Sequence, residues 1–261
     1  QEKNCVIRGE KNMRLLVLMK QDFKNLATNP TIFTFCFIYP PALIFLFGFL
    51  FSNLYGSDIV TSYDFYGVTL MFYMLLGTIT ITPNTFMEER VKSANLRIAY
   101  APVSRFTIYI SKILSSYLFM GITFTLDICI MQICGLVNYG GKEHLLNVLL
   151  LMYCMLAFSV TLGGAVCVVL KSEELTNKIL TIIATAFAVF SGIFFPISSL
   201  GKEVANFANL SPLKWVIDCA FQIIYDGVSS TYIPIIACLM ICSIFFLLII
   251  HLFYRPEDYL K

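Results

Sequence analysis

Charge is the scarcest property of this sequence. Soluble domains carry about 25% charged residues; here 13% of 261 residues are charged and 58% are hydrophobic. Such a chain belongs to the membrane class before any motif is considered. A net charge of +2 is too small to draw nucleic acid, and no basic run is interleaved with aromatics. Histidine occurs only at His144 and His251, and no Cys/His pair has metal-ligand spacing. No phosphate loop is present, since Gly141-Lys142 and Gly201-Lys202 lack both the earlier glycine and the following Ser/Thr. No Ser/His/Asp set can be nominated either. The chain therefore shows no catalytic, cofactor or metal site of its own. Its nine cysteines are an odd count, and most lie inside apolar runs, which suits small hydrophobes better than a disulfide framework.

What is present is a series of long apolar runs. About 20 such residues cross a bilayer core as a helix. Spans are expected at 31–51, 65–86, 111–136, 145–170, 179–195 and 232–254, giving one all-α, six-span membrane domain over 30–261. Residues 1–12 are polar and precede Met13-Arg14, so they are set aside as a flexible or non-native tail. Over 13–29, Leu15, Met19, Phe23 and Leu26 recur at helical spacing with Lys20 and Lys24 elsewhere, as in a basic amphipathic helix at the membrane interface. Asn29-Pro30 supplies an N-cap and first-turn proline for the first span. Tyr39-Pro40-Pro41 should kink that span near its middle.

The 18 Lys and Arg divide 15 to 3 across this map. That asymmetry puts both termini, and the charged stretch 87–112, on the cytoplasmic side. The stretch carries Glu88, Glu89, Arg90, Lys92, Arg97, Arg105 and Lys112, with a partly apolar middle at Leu96, Ile98 and Tyr100 before Ala101-Pro102 breaks the helix. Across the membrane, 196–231 is too apolar for a solvated loop and too broken for a span. It reads as a helical hairpin dipping into the outer leaflet, with Pro196 at its start, Ser211-Pro212 opening a helix, and Lys214, Asp218 and Gln222 on one polar stripe.

These features resemble the membrane subunits of ABC-2-type ABC exporters. The likeness rests on Glu89-Arg90, Leu96, Pro102-Val103-Ser104-Arg105 and Lys112, on the segment from Pro196 through Ser211-Pro212 to Asp218, and on six spans behind an amphipathic helix. Val91 and Ser93 stand where that family often has an acid and a glycine. The resemblance implies a permease in a bacterial plasma membrane, paired with a second copy or a homologue. It also implies two separate ATPase subunits, carrying ATP and Mg, docked on Glu88, Glu89, Arg90, Leu96, Arg97, Ile98 and Tyr100. It places the path between permeases, along the first, second and fifth spans, with an apolar or amphipathic cargo such as a drug, antimicrobial peptide, lipid or glycan-lipid.

Tyr39, Pro40, Thr78, Thr82 and Asn84 are the candidates for lining that path or for plain packing. Asp127 is an acid well inside an apolar run, where an ionised group is costly and needs a partner or a cavity. Structural pairing, gating and ion coupling are all open for it. Ion coupling would instead make this a secondary transporter. A non-transporting membrane sensor or scaffold is a third class that the topology allows.

Overall fold

In the computed structural model the described residues are 2–52, 60–100, 103–193, 211–227 and 230–255; the side chains described begin at residue 13 and leave out 89, 90, 93, 94, 99 and 142. Every regular element among them is helical. Helix α1, Glu2–Ala27, starts well upstream of Met13, so the stretch expected to be a tail is helical in backbone. Met13, Leu16 and Val17 stay exposed on it, while Asp22 and Leu26 are buried against the bundle. Asn29 Oδ1 then accepts from Thr31 N at 3.2 Å and starts α2, Pro30–Phe33.

The first span is not a uniform helix. Thr34–Ile38 forms a π-helical turn that leads into α3, Tyr39–Leu50, with prolines at its first positions. Pro40 and Pro41 bring no N–H to the ladder and crowd the preceding turn, and widening that turn is one way a helix absorbs them.

The second span begins with a reciprocal cap. Thr61 N donates to Asp64 Oδ2 and Asp64 N donates to Thr61 Oγ1, each at 3.1 Å, opening α4, Ser62–Gly77. Expected as one continuous helix, this span instead breaks: a 3₁₀ turn at Thr78–Thr80 separates α4 from α5, Thr82–Met87. Pro83 lies in the first turn of α5, where its missing N–H costs least. Glycine makes the break packable. A Cβ on Gly163 would collide with the Ile79 carbonyl oxygen, so only glycine lets the neighbouring helix approach the exposed backbone of that turn.

After the charged helix α6, Glu89–Tyr100, Ser104 caps α7, Arg105–Ile133, by accepting from Thr107 N. Helix α8, Gly141–Leu170, lies at the centre of the bundle, packed on α4, α5, α7 and the last helix. Helix α9 is Glu173–Phe190, α10 is Pro212–Tyr225 and α11 is Tyr232–Phe253.

Five helical stretches among the described residues are long and apolar enough to cross a membrane: Pro30–Leu50, Ser62–Met87, Arg105–Ile133, Glu143–Leu170 and Tyr232–Phe253. The span expected at 179–195 falls on α9, whose 18 residues open with Glu173, Glu174 and Lys178 and whose apolar described part is about 18 Å long; residues 194–195 of that span lie outside the described residues. Pro196 and the first arm of the expected hairpin fall outside the described residues, so α10 is the part of the hairpin that can be placed.

Candidate coupling segment and membrane cleft

The charged stretch 87–112 is anchored by a buried polar chain. Helix α5 ends at Glu88, where the backbone turns extended, and α6 starts one residue later. The last carbonyls of α5 would be left without amide partners. Asn95 satisfies them from α6: its Nδ2 donates to Thr85 O at 3.2 Å and to Phe86 O at 3.0 Å. Its Oδ1 accepts from Lys112 Nζ of α7 at 2.7 Å. Lys112 in turn pairs with Asp22 of α1, Nζ to Oδ1 at 3.5 Å, and Ser111 Oγ donates to Asp22 Oδ2 at 3.0 Å. One turn further, Ser115 Oγ donates to the Met19 carbonyl at 3.0 Å. Lys112 is 1% exposed and Asp22 7%, so this is an interior ion pair that ties α1, α5, α6 and α7 together.

Around this anchor the expected docking residues separate. Arg97 and Tyr100 stand out from α6, Tyr100 at 74% exposure. Leu96 and Ile98, expected as parts of a projecting apolar knob, are half-buried and pack on the core. Glu88 is half-buried, and the Glu89 and Arg90 side chains lie outside the described residues.

A second feature lies among the first span, α4 and α9. A cleft of about 480 Å³ is lined by Phe35, Tyr39, Leu43 and Phe47 on one side, by Leu70, Tyr73, Met74, Gly77 and Thr80 on another, and by Thr181, Ala184 and Thr185 of α9. Phe35 and Tyr39 stack along its wall with ring centroids 6.2 Å apart. The sequence profile of the ABC-2 type transporter family matches residues 13–225, from within α1 to the end of α10. The chain belongs to that family. It is therefore a transport permease component, not itself the catalyst. No curated protein matches it.

The other candidates take different places in this ABC-2 chain. Tyr39 lines the cleft, whereas Pro40 is buried behind it. Thr78 is fully buried and donates to Leu75 O at 2.7 Å, a bond within its own helix. Thr82 is fully buried too, and its hydroxyl has no partner among the described residues. Asn84 lies one turn beyond the cleft, its amide 3.2 Å from that of Asn177 on α9. Asp127 is 1% exposed and does not line the cleft; its Oδ2 has no hydrogen-bond partner among the described residues.

In α10, Pro212 occupies the first turn, and Lys214 Nζ meets Asp218 Oδ2 at 2.6 Å. Gln222 Oε1 accepts from Thr231 Oγ1 at 3.2 Å. The opposite face, including Leu213, Val216, Ile217, Ala220 and Ile223, is buried. Ser211 Oγ, 2.6 Å from Ser191 Oγ, joins this helix to the end of α9.

Sequence reasoning missed Asp22 and Asn95, and it read Lys112 as a cytoplasmic positive charge and part of the family resemblance, not as one half of a buried ion pair. A signal was available: Lys112 lies seven residues inside α7, and Asp22 is an acid on the apolar side of a basic helix. Two opposite charges on apolar faces need each other.

Proposed function

We propose that this chain is the membrane-spanning half of an ATP-driven exporter, working as two copies or with a homologue. ABC-2 permeases typically work with an ATPase partner. In this reading two such subunits, carrying ATP and Mg, dock on the exposed face of α6 from the cytoplasm, where both termini also lie. The apolar helices and the 15-to-3 division of positive charge support a multi-pass plasma-membrane protein held in that orientation. The cleft along the first span, α4 and α9 is the substrate path, closed on its open side by the second copy. Aromatic lining suits an apolar or amphipathic cargo.

The observation that carries this reading is the attachment of α6. A helix that only followed the membrane surface would need no buried lysine. Here Asn95 and Lys112 fasten it to α1, α5 and α7, so a displacement of α6 by a soluble partner is delivered to the spans. Coupling then biases a bundle with two arrangements.

Tyr100→Asp, alone and with Arg97→Glu, tests it. Both side chains project from the fold, so the permease should stay folded while losing co-purification with its ATPase subunit and the stimulation of ATP hydrolysis in lipid nanodiscs. Unchanged co-purification in the double variant would remove α6 as the docking site. The ion-coupled alternative would use Asp127, whose unpaired Oδ2 is the observation in its favour. Its separation from the cleft counts against it.

A further inference from the structure

Two polar ladders face each other beside the cleft. On α9, Glu173, Asn177, Thr181 and Thr185 fall at four-residue steps and so share a face. On the second span, Tyr73 and Thr80 line the cleft and Asn84 follows four residues later, beyond the 3₁₀ break. The ladders stand opposite at two levels. Tyr73 and Thr185 line the same cleft from the two sides. Beyond its α6 end, the Asn84 and Asn177 amides meet at 3.2 Å. Asn177 Nδ2 donates to Glu173 Oε1 at 3.3 Å as well as to Asn84 Oδ1; with the Asn84 amide turned over, that amide–amide bond is exchanged for Asn84 Nδ2 donating to Glu173 Oε1 at 3.0 Å and to the Thr80 carbonyl at 3.1 Å, so both amides then converge on Glu173.

This arrangement has a charge polarity. The cleft is lined by aromatic and aliphatic side chains and a few hydroxyls, and no lysine or arginine is among its described lining residues. Its α6 end leads to an acid, Glu173, which two amides contact and which has Glu88 and Glu174 nearby. Within α9, Lys178 is already held by Glu174 at 2.6 Å. An organic anion would meet carboxylates at this end and no cation among the described lining residues. A cation with an apolar body would find a carboxylate at the threshold and ring faces beyond it, both of which attract positive charge.

On the reading of the cleft as the transport path, we propose that it selects amphipathic organic cations, with Glu173 as the recruiting counter-charge and the Asn84–Asn177 contact as the closure that must part to admit them. The two amides hold Glu173 while the path is closed. A cation approaching the carboxylate competes for it and frees both amides together.

Tetraphenylphosphonium and tetraphenylborate have nearly the same size and opposite charge, which makes them direct probes, and Nile red serves as a neutral third. Binding to the purified chain in nanodiscs is measured by equilibrium dialysis, with empty nanodiscs subtracted for membrane partition. Tetraphenylphosphonium should bind saturably, and tetraphenylborate should only partition. Glu173→Gln should weaken the cation about tenfold, a little above the roughly fivefold of a fully hydrated charge pair at about 4 Å and well below that of one at an effective dielectric of about 20, and leave Nile red unchanged. Thr181→Trp, at an exposed cleft position, should fill the space and remove saturable binding of both the cation and Nile red; circular dichroism checks that each variant is folded. If both ions bind alike, or only Nile red binds, and Thr181→Trp removes that binding, charge selection is overturned while the cleft survives as a site. Binding of any probe that Thr181→Trp leaves untouched overturns the cleft reading as well. Absence of saturable tetraphenylphosphonium binding sinks the cation proposal outright.

Discussion

Replacing Lys112 with methionine keeps its length and apolar stem but removes the charge from the interior chain Asp22–Lys112–Asn95. In wild type, Nζ lies 3.5 Å from Asp22 Oδ1 and 2.7 Å from Asn95 Oδ1. At an effective dielectric of about 20 the first contact represents roughly 5 kcal/mol of attraction, offset by the cost of burying both ions. Methionine removes the attraction and leaves the carboxylate buried, with Ser111 Oγ as its remaining side-chain donor. Breaking one side of such a pair typically costs about 3–5 kcal/mol, and Asn95 also loses a charge-assisted bond. Asp22→Leu should be similarly damaging, because it strands Lys112. The double replacement, Asp22→Leu with Lys112→Met, leaves no buried charge and should recover most of the loss. The assay is thermal unfolding in nanodiscs for wild type, both single variants and the double. A drop of about 2–4 °C per kcal/mol in a chain of this size puts each single variant roughly 6–20 °C down, with the double much closer to wild type. Additive losses would mean the two side chains do not interact, and a single-variant cost below about 1 kcal/mol would mean the pair is solvated.

Three further outcomes follow from particular contacts. Gly163→Ala sets a Cβ against the Ile79 carbonyl, which is backbone and cannot swing aside, so it should lower stability by about 1–3 kcal/mol; Gly164→Ala, facing the ends of Ile113 and Ile250 side chains at 2.9 and 3.2 Å, should cost less in the same melt. Burial first, then the nearby Glu88 and Glu174, hold the Glu173 carboxyl above its ordinary range. A raised acid takes up protons more readily folded than unfolded, so its penalty is present at neutral pH and fades as pH falls toward the usual carboxylate range. Glu173→Gln should therefore melt higher than wild type at pH 7 and no higher near pH 4; a gain that stayed constant across that range would assign the effect to something other than ionisation. Lys214→Met should change the melting temperature little, since its pair with Asp218 is partly exposed and four residues apart, an arrangement worth about 0.3–0.5 kcal/mol.

The sequence made the helices easy to read because membrane spans advertise themselves by length and apolarity, and caps such as Asn29-Pro30 are local. The first and last spans show this best: both are exposed over most of their length, so lipid-facing hydropathy is nearly all that specifies them. The break at Thr78–Thr80 was not legible in the same way. Its cause is partly local, at Pro83, but what allows it is Gly163, 80 or so positions away in the chain and against the exposed carbonyl. A charged helix ahead of Ala101-Pro102 was legible in the sequence and is α6, Glu89–Tyr100, but which of its faces turns inward was not. An amphipathic pattern cannot say whether Leu96 faces a partner or its own bundle. That choice depends on Asn95, whose side chain turns inward to finish α5 and takes the neighbouring residues part of the way in with it. Helix α9 is harder to place from sequence, since the run 179–195 shares one helix with Glu173, Glu174 and Lys178 and its last two residues lie outside the described ones.

The two features of the site meet at Thr85 and Asn84. Thr85 O is held by Asn95, and through it by Lys112 and α1, while the adjacent Asn84 side chain reaches Asn177 at the α6 end of the cleft. In the proposed mechanism, consecutive residues on one short helix would carry the anchor of the docking segment and the closure of the path. Helix α5 is only six residues long and is separated from α4 by a 3₁₀ turn, which would let it turn with less of α4 than an unbroken helix would carry. A rotation that turned Asn84 away from Asn177 would be driven at Thr85 and Phe86, where Asn95 grips it. In an unbroken second span the same pull would have to move the whole helix against Gly163 and the central α8. In that mechanism the break would confine the motion to the part of the second span that α6 holds through Asn95.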